Sequence, residues 1–565
     1  MRVSEAVGRL LVERGVRQVF GVVGSGNFFV TQAMVESGAS FVASRHEHGA
    51  GMMADAYGRL TGEVAAVSLH QGCGLTNAMT AITEAAKSHT PMLVLTGDTP
   101  PNNTTNNFYI EQADALRALG AEVAHLHSAA TALADADDAL HRARTRRQTV
   151  VLNMRLDVQE EQIDWPADLV AALPALAVPS PAAPAPDAVD RLADLLGSAQ
   201  RPLLVAGRGA RAARAEILAL ADATGALVAT SAVGRGLFAG EEWSLDVMGG
   251  FASPAAAELI GESDLVVAFG ASLNRWTARN GSLLAGATVA QVDDRPDAIG
   301  WHSAADVGVV GDVALTARAL VDRLVDDRLA DGPAAVGRGR RTDDVRERIA
   351  GVPWRTVSFV DGSGPDGAGE ERIDPRAATL ALDAILPAER VVVPDAGNMA
   401  CYPAMFLTVP DARSYVLPLA FQSIGMALGA SIGAAIASPG RTVVAGIGDG
   451  AFMMSIAELD TAVRLALPLV VLVYNDSAYG AEVHHFAGEV DDLSTVTFPE
   501  TDIAAIARGF GAEGVTVRAA RDLDAVAGWV AGRDAGAPRG PLVVDLKVTP
   551  TESWVLAHTF TGEIA

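Results

Sequence analysis

Short apolar runs that end in a glycine turn and feed a helical stretch recur along the whole chain, and they constrain the fold most. "RQVFGVV", "EVAAVSL" and "PMLVLTG" lie within residues 1–165. "RPLLVAGRG", "DLVVAFGASL" and "ATVAQVDD" follow, and then "ERVVVPDAGN", "RTVVAGIGDG", "PLVVLVYND" and "GPLVVDLKV". Strand runs alternating with helices call for a parallel sheet covered by helices on both faces. Two stretches break the rhythm. Residues 166–187 hold six prolines among alanines and read as a stiff surface linker. Residues 331–372 turn rich in glycine and charge, with one short helix expected near 343–350. The expectation is therefore α/β, with three doubly wound parallel-sheet domains over 1–165, 187–330 and 373–550. A length of 565 residues suits three domains.

Ligands of such sheets bind beyond the carboxyl ends of the strands. There the third domain places "GIGDG" and, one crossover later, "YNDSAYG". Asp449 follows the first strand and Asp476 the second. If the two strands are neighbours, their ends lie roughly 4.8 Å apart. Two carboxylates that close call for a divalent cation, and octahedral Mg²⁺ suits carboxylate plus phosphate oxygens. Gly448 and Gly450 let backbone approach a phosphate, and the helix behind them offers free N–H groups. A lone Gly-Asp-Gly is more often a plain turn, so the inference needs support from elsewhere in the chain.

Composition narrows the ligand. A net charge of −25 excludes the cationic footprint that nucleic acid or anionic membranes require. No stretch reaches the roughly 18 charge-free apolar residues of a membrane span. The N-terminal helix carries Glu5 and Glu13, unlike a signal peptide. Cys73 and Cys401 have no metal or redox spacing. These features suit a cytoplasmic enzyme acting on small molecules.

Gly-Asp-Gly followed by "YND" resembles the signature of thiamine diphosphate enzymes, and other segments match independently. "SRHEHGAGMMADAYGRLTG" (44–62) is similar to their activating-glutamate segment. "GCGLTNAMTAITEAAKSHTPMLVLTGD" (72–98) resembles the segment lining the reacting centre, and "LAFQSIGMALGASIGAAIA" (419–437) the cofactor-bending segment. The domain order is that of the acetolactate synthase, pyruvate oxidase and benzoylformate decarboxylase branch. The resemblance implies thiamine diphosphate and Mg²⁺ as cofactors. It makes Glu47 the acid that hydrogen-bonds the aminopyrimidine. Ile424 becomes the apolar wedge, and the Gln422 carbonyl the acceptor for the 4′-amino group. Asp449, Asp476 and the Ala478 carbonyl become metal ligands. Gly397, Asn398, Gly448, Gly450, Ala451 and Tyr479 become further cofactor contacts. Relatives often carry Asn where Asp476 stands, and the extra charge should tighten Mg²⁺ binding. The resemblance also implies a homodimer or homotetramer, with Glu47 and the diphosphate contributed by different subunits.

The resemblance implies decarboxylation of a small 2-oxo acid, with carboligation in the manner of acetolactate synthase or with aldehyde release. Ser25 and His70 occupy positions that resemble benzoylformate decarboxylase, which makes an aryl 2-oxo acid decarboxylase the alternative. Thr277 stands where that enzyme has a second active-site histidine. Glu482 matches a catalytic glutamate of pyruvate decarboxylases and is expected to pair with His70 in proton transfer. A lone Gly-x-Gly in "VAGRGARAARAE" neither requires nor excludes FAD. The reading of another class is an inactive cofactor-binding scaffold, which the joint presence of Glu47, Asp449 and Asp476 disfavours.

Overall fold

The computed structural model describes residues 1–165, 167–173, 180–331, 339–534 and 540–559. Three parallel sheets follow one another along the chain. The first contains β1 (Gln18–Gly21), β2 (Ser40–Ala43), β3 (Ala65–Leu69), β4 (Met92–Asp98), β5 (Glu122–His125) and β6 (Thr149–Arg155), in the order β2-β1-β3-β4-β6-β5. The second contains β7 (Pro202–Ala206), β8 (Leu227–Thr230), β9 (Ser244–Val247), β10 (Leu265–Phe269), β11 (Thr288–Asp293) and β12 (Val307–Val310), in the order β12-β11-β10-β7-β8-β9. A two-residue hairpin, β13 (Gly364–Pro365) with β14 (Glu371–Arg372), precedes the third. That sheet runs β15-β16-β17-β19-β18 through Arg390–Pro394, Thr442–Gly448, Leu469–Asn475, Leu542–Lys547 and Glu513–Val517. The fold is α/β with helices flanking each sheet, as the apolar strand runs require: strands covered on both faces have no polar side to show water.

The first and third sheets share one core. The helix Glu47–Thr61 lies along the helix Ala427–Ala437, with Met52, Met53, Leu428 and Ile432 all buried. Glycine sets their separation. A Cβ on Gly433 would lie 2.0 Å from the Met53 carbonyl oxygen, and one on Gly429 would lie 3.1 Å from the Met52 Cβ. Only residues without a side chain allow backbones this close.

The proline-rich stretch is not wholly irregular. "ADLVAA" forms a short helix, Ala167–Ala172, between prolines, and Val170 and Leu173 pack on the first core. Proline 186 opens the next helix, where its missing N–H costs nothing. Residues 166 and 174–179 of this linker lie outside the described residues. In the second break, the expected helix spans Asp343–Ile349, capped by the Thr342 hydroxyl. Residues 332–338 lie outside the described residues.

Candidate functional site

Strands β16 and β17 are hydrogen-bonded neighbours, with Gly448 opposite Tyr474. Asp449 opens the helix after β16, and Asp476 follows β17. The two carboxylates therefore meet at the carboxyl edge of the sheet. One oxygen of Asp449 and both oxygens of Asp476 are shut off from solvent and have no hydrogen-bond partner among the described residues. Burial pushes the Asp449 carboxyl up to about 6. Burial and the neighbouring Asp449 hold Asp476 well above the usual carboxylate range. Buried anionic oxygens without a donor are unfavourable unless a cation joins them, so the donor set fits a hard divalent ion. Among the described residues no group of three or more His, Cys, Asp or Glu side chains comes together to hold a metal. Further ligands would have to be backbone or phosphate oxygen.

The turn after β17 is tightly determined. Ser477 has φ +58°, and Ala478 bridges Thr497. Tyr479 N–H donates to the Val496 carbonyl at 2.9 Å. A Cβ on Gly480 would lie 2.5 Å from Asp476 Oδ2, and one on Gly450 would lie 2.5 Å from the Tyr479 ring. Gly397 has φ +90°, and its open side faces Ile424. Asn398 commits its side chain elsewhere: Nδ2 donates to the Thr551 carbonyl at 2.9 Å, and Oδ1 accepts from Ser553 N–H at 2.8 Å. Ala451 is buried in the first turn of the Asp449 helix.

Residues 417–426 form a loop that, with Ala427 at the start of the next helix, is held from two sides by acids that no sequence motif marks. Asp395 is fully buried. Its carboxylate accepts N–H bonds from Ala396, Gly425 and Ala427 at 2.8–2.9 Å, and burial pushes it up to about 6. Glu84, from the first domain, accepts Ala420 N–H at 3.1 Å and Phe421 N–H at 2.6 Å. Glu84 also binds Arg59 at 2.6 Å, and Arg59 donates to the Leu417 carbonyl at 2.9 Å. Between the two clamps, Gln422 sits exposed at φ +60°, a strained conformation for a residue with a side chain. Ile424 is half-buried against the shared core.

The N-terminal residues are more open. Ser25 Oγ and His70 Nε2 lie 3.3 Å apart, because β1 pairs directly with β3. His70 Nδ1 meets the Gln71 carbonyl at 2.9 Å, and the ring packs edge-on against Phe108. Glu47, half-buried at the start of its helix, accepts from Asn77 at 3.0 Å. Glycine 74 lies against both: its Cβ would be 3.1 Å from His70 and 3.4 Å from Glu47. Ser25, His70 and Glu47 thus form one neighbourhood. Glu482 is exposed in the first turn of Gly480–Phe486 and makes no hydrogen bond within the described residues. Thr277 is buried beneath Gly249.

No helix among the described residues is long and apolar enough to cross a membrane. Family models for the thiamine pyrophosphate enzymes match the chain in order: the N-terminal TPP binding domain over residues 1–151, the central domain over 189–320 and the C-terminal TPP binding domain over 395–546. Sulfoacetaldehyde acetyltransferase of Rhodobacter capsulatus is 29% identical, over 93% of this chain and 90% of its own. A Pseudomonas aeruginosa protein named "Probable 2-ketoarginine decarboxylase" is 29% identical over 92% and 90%. Chloroplastic acetolactate synthase 2 of Zea mays is 26% identical over 99% and 87%.

Proposed function

This chain belongs to the thiamine pyrophosphate enzymes, and on that premise we propose that it decarboxylates a small 2-oxo acid with Mg²⁺ as second cofactor. The retained fragment then passes to a second carbonyl compound, as in acetolactate synthesis, or leaves as an aldehyde. When bound, thiamine diphosphate supplies the electron sink that the loss of CO₂ requires. The observation that carries the reading is the trio of buried, unpartnered carboxylate oxygens on Asp449 and Asp476. These two acids and the Ala478 carbonyl would hold Mg²⁺. Gly448, Gly450 and Ala451 would present backbone to the diphosphate, with Gly397, Asn398 and Tyr479 around it. Ile424 would press on the cofactor from the clamped loop, and the Gln422 carbonyl would accept from its amino group.

Glu47 would hold a proton against an aminopyrimidine nitrogen, and water must be excluded around it for that proton to be shared. The exposed apolar side chains Phe28, Phe29, Phe421, Met453 and Met454 support closure by a second copy of the chain. They support the reading of a homodimer or homotetramer. The free cysteines and acidic charge support a cytoplasmic location.

The Ser25–His70 contact favours a second reading, an aryl 2-oxo acid decarboxylase in which that pair orients the substrate carboxylate. Incubating the enzyme, Mg²⁺ and thiamine diphosphate with pyruvate and with benzoylformate, then identifying products by mass, separates the two. Acetolactate supports carboligation, and benzaldehyde supports the second reading. Glu47→Gln should cut turnover at least about 100-fold while cofactor binding survives. Turnover unchanged by that substitution would refute the assignment, and no product from either acid with intact cofactor binding would favour a scaffold.

A further inference from the structure

A cavity of about 650 Å³ opens between the segments that follow β7 and β8 and the segments that precede β16. Four arginines line it: Arg211, Arg214, Arg413 and Arg441. Two are neutralised. Arg214 donates to the Leu237 carbonyl at 2.9 Å and pairs with Glu241. Arg441 binds Asp411 at 2.5 Å and the Ser414 hydroxyl at 2.6 Å, with Glu389 at 3.4 Å. The other two form no ion pair among the described residues, although Asp411 lines the same cavity and acts on Arg211 through space. Arg211 gives one N–H to the Arg59 carbonyl. The exposed Arg413 guanidinium has no hydrogen-bond or ion-pair partner among the described residues, and its backbone N–H is anchored to Asp411 at 2.7 Å. Burial, Arg413 and Arg59 together hold Arg211 below the usual guanidinium value.

In a chain of net charge −25, four arginines lining one cavity with Asp411 as the one acid among the lining residues stand out. Like charges facing one cavity repel, and an anion between them reverses the sign of the interaction. Guanidinium forks match phosphate oxygens in pairs. The volume lies within the range of small-molecule sites. The cavity is also remote from the carboxylate pair. Arg441 precedes β16 and Asp449 follows it, so seven strand residues, roughly 23 Å, separate them.

We propose that this cavity binds a small phosphate-bearing anion through Arg211 and Arg413, with Arg214 and Arg441 framing it. The site is independent of the decarboxylation reading. The test uses holoenzyme saturated with thiamine diphosphate and Mg²⁺, so that the diphosphate residues are already filled. Inorganic phosphate and ADP are titrated calorimetrically at constant ionic strength. At least one should bind saturably, and Arg413→Ala should weaken it about tenfold or more without changing turnover or melting temperature. Tighter binding of phosphate identifies the free ion as the ligand type, and tighter binding of ADP identifies a phosphate ester. Arg413→Lys should recover part of the affinity. Saturable binding of neither probe, or equal affinity in wild type and Arg413→Ala, would overturn the proposal.

Discussion

Asp449 and Asp476 are sealed at the edge of the third sheet with three oxygens lacking a hydrogen-bond partner among the described residues, whereas Glu47 is half-buried and already holds Asn77. The contrast follows from where each is built. The acid pair sits on two adjacent strand ends, so sheet geometry brings the carboxylates together and the following turns exclude water. Glu47 opens a helix whose own chain covers only one side of it. On the proposed reading, one half of the candidate site would need a cation and phosphate oxygen to complete it, and the other half a second surface. Buried charge at the first half should make it sensitive to the metal. Partial exposure at the second should make it sensitive to assembly.

The largest test of this contrast is Asp449→Ala. Truncating one member of a buried charged set costs about 2–5 kcal/mol, so Mg²⁺-dependent binding of thiamine diphosphate should fall by about two orders of magnitude. Calorimetric titration with and without chelator measures this, and wild-type affinity in the variant would erase the difference between the two halves.

A middle-sized effect is expected at Glu84, which ties the halves together. Glu84→Gln keeps one acceptor oxygen but removes the charge opposite buried Arg59 and weakens the hold on Ala420 and Phe421. A loss of about 2–3 kcal/mol in urea unfolding is expected. Stability unchanged within error would mean that Asp395 and packing hold the loop without Glu84.

The smallest effect belongs to the exposed link across the same boundary. Asp460 binds Arg45 at 2.6 Å and Arg464 at 2.6 Å, and these contacts lower its carboxyl to about 2. A depressed carboxylate stabilises the folded state above its unfolded value, near 3.8, and loses that contribution as pH falls toward 2. Asp460→Asn should lower stability by under about 1 kcal/mol at neutral pH. The gap to wild type should close between pH 4 and 2 in melting curves.

The α/β class was legible because strands buried on both faces must be apolar throughout, and this chain repeats such runs at helix-length intervals. The Asp449–Asp476 meeting was legible for a related reason. A single crossover between two such strands makes neighbours, and glycines beside the acids mark a close backbone approach. Ser25 and His70 were singled out together through the resemblance, but their contact depends on β1 pairing with β3, which no local pattern announces. Glu482 was expected beside His70, and within one chain it stands exposed without a hydrogen bond among the described residues. Asp395 and Glu84 escaped notice because a buried acid looks, in sequence, like any helix or turn acid. Only the loop it holds reveals its burial.

By itself, the sequence determined the strand runs, the glycine turns and hence the parallel α/β architecture, since periodicity and backbone freedom are local properties. It also determined that two acids end neighbouring strands of one crossover. The tertiary structure alone decided which acids lose their water. It buried Asp395 and Glu84 around residues 417–427, left Glu47 half open, and turned four scattered arginines toward one cavity. Desolvation depends on what the rest of the chain brings near a charge, and residues hundreds of positions apart settle that.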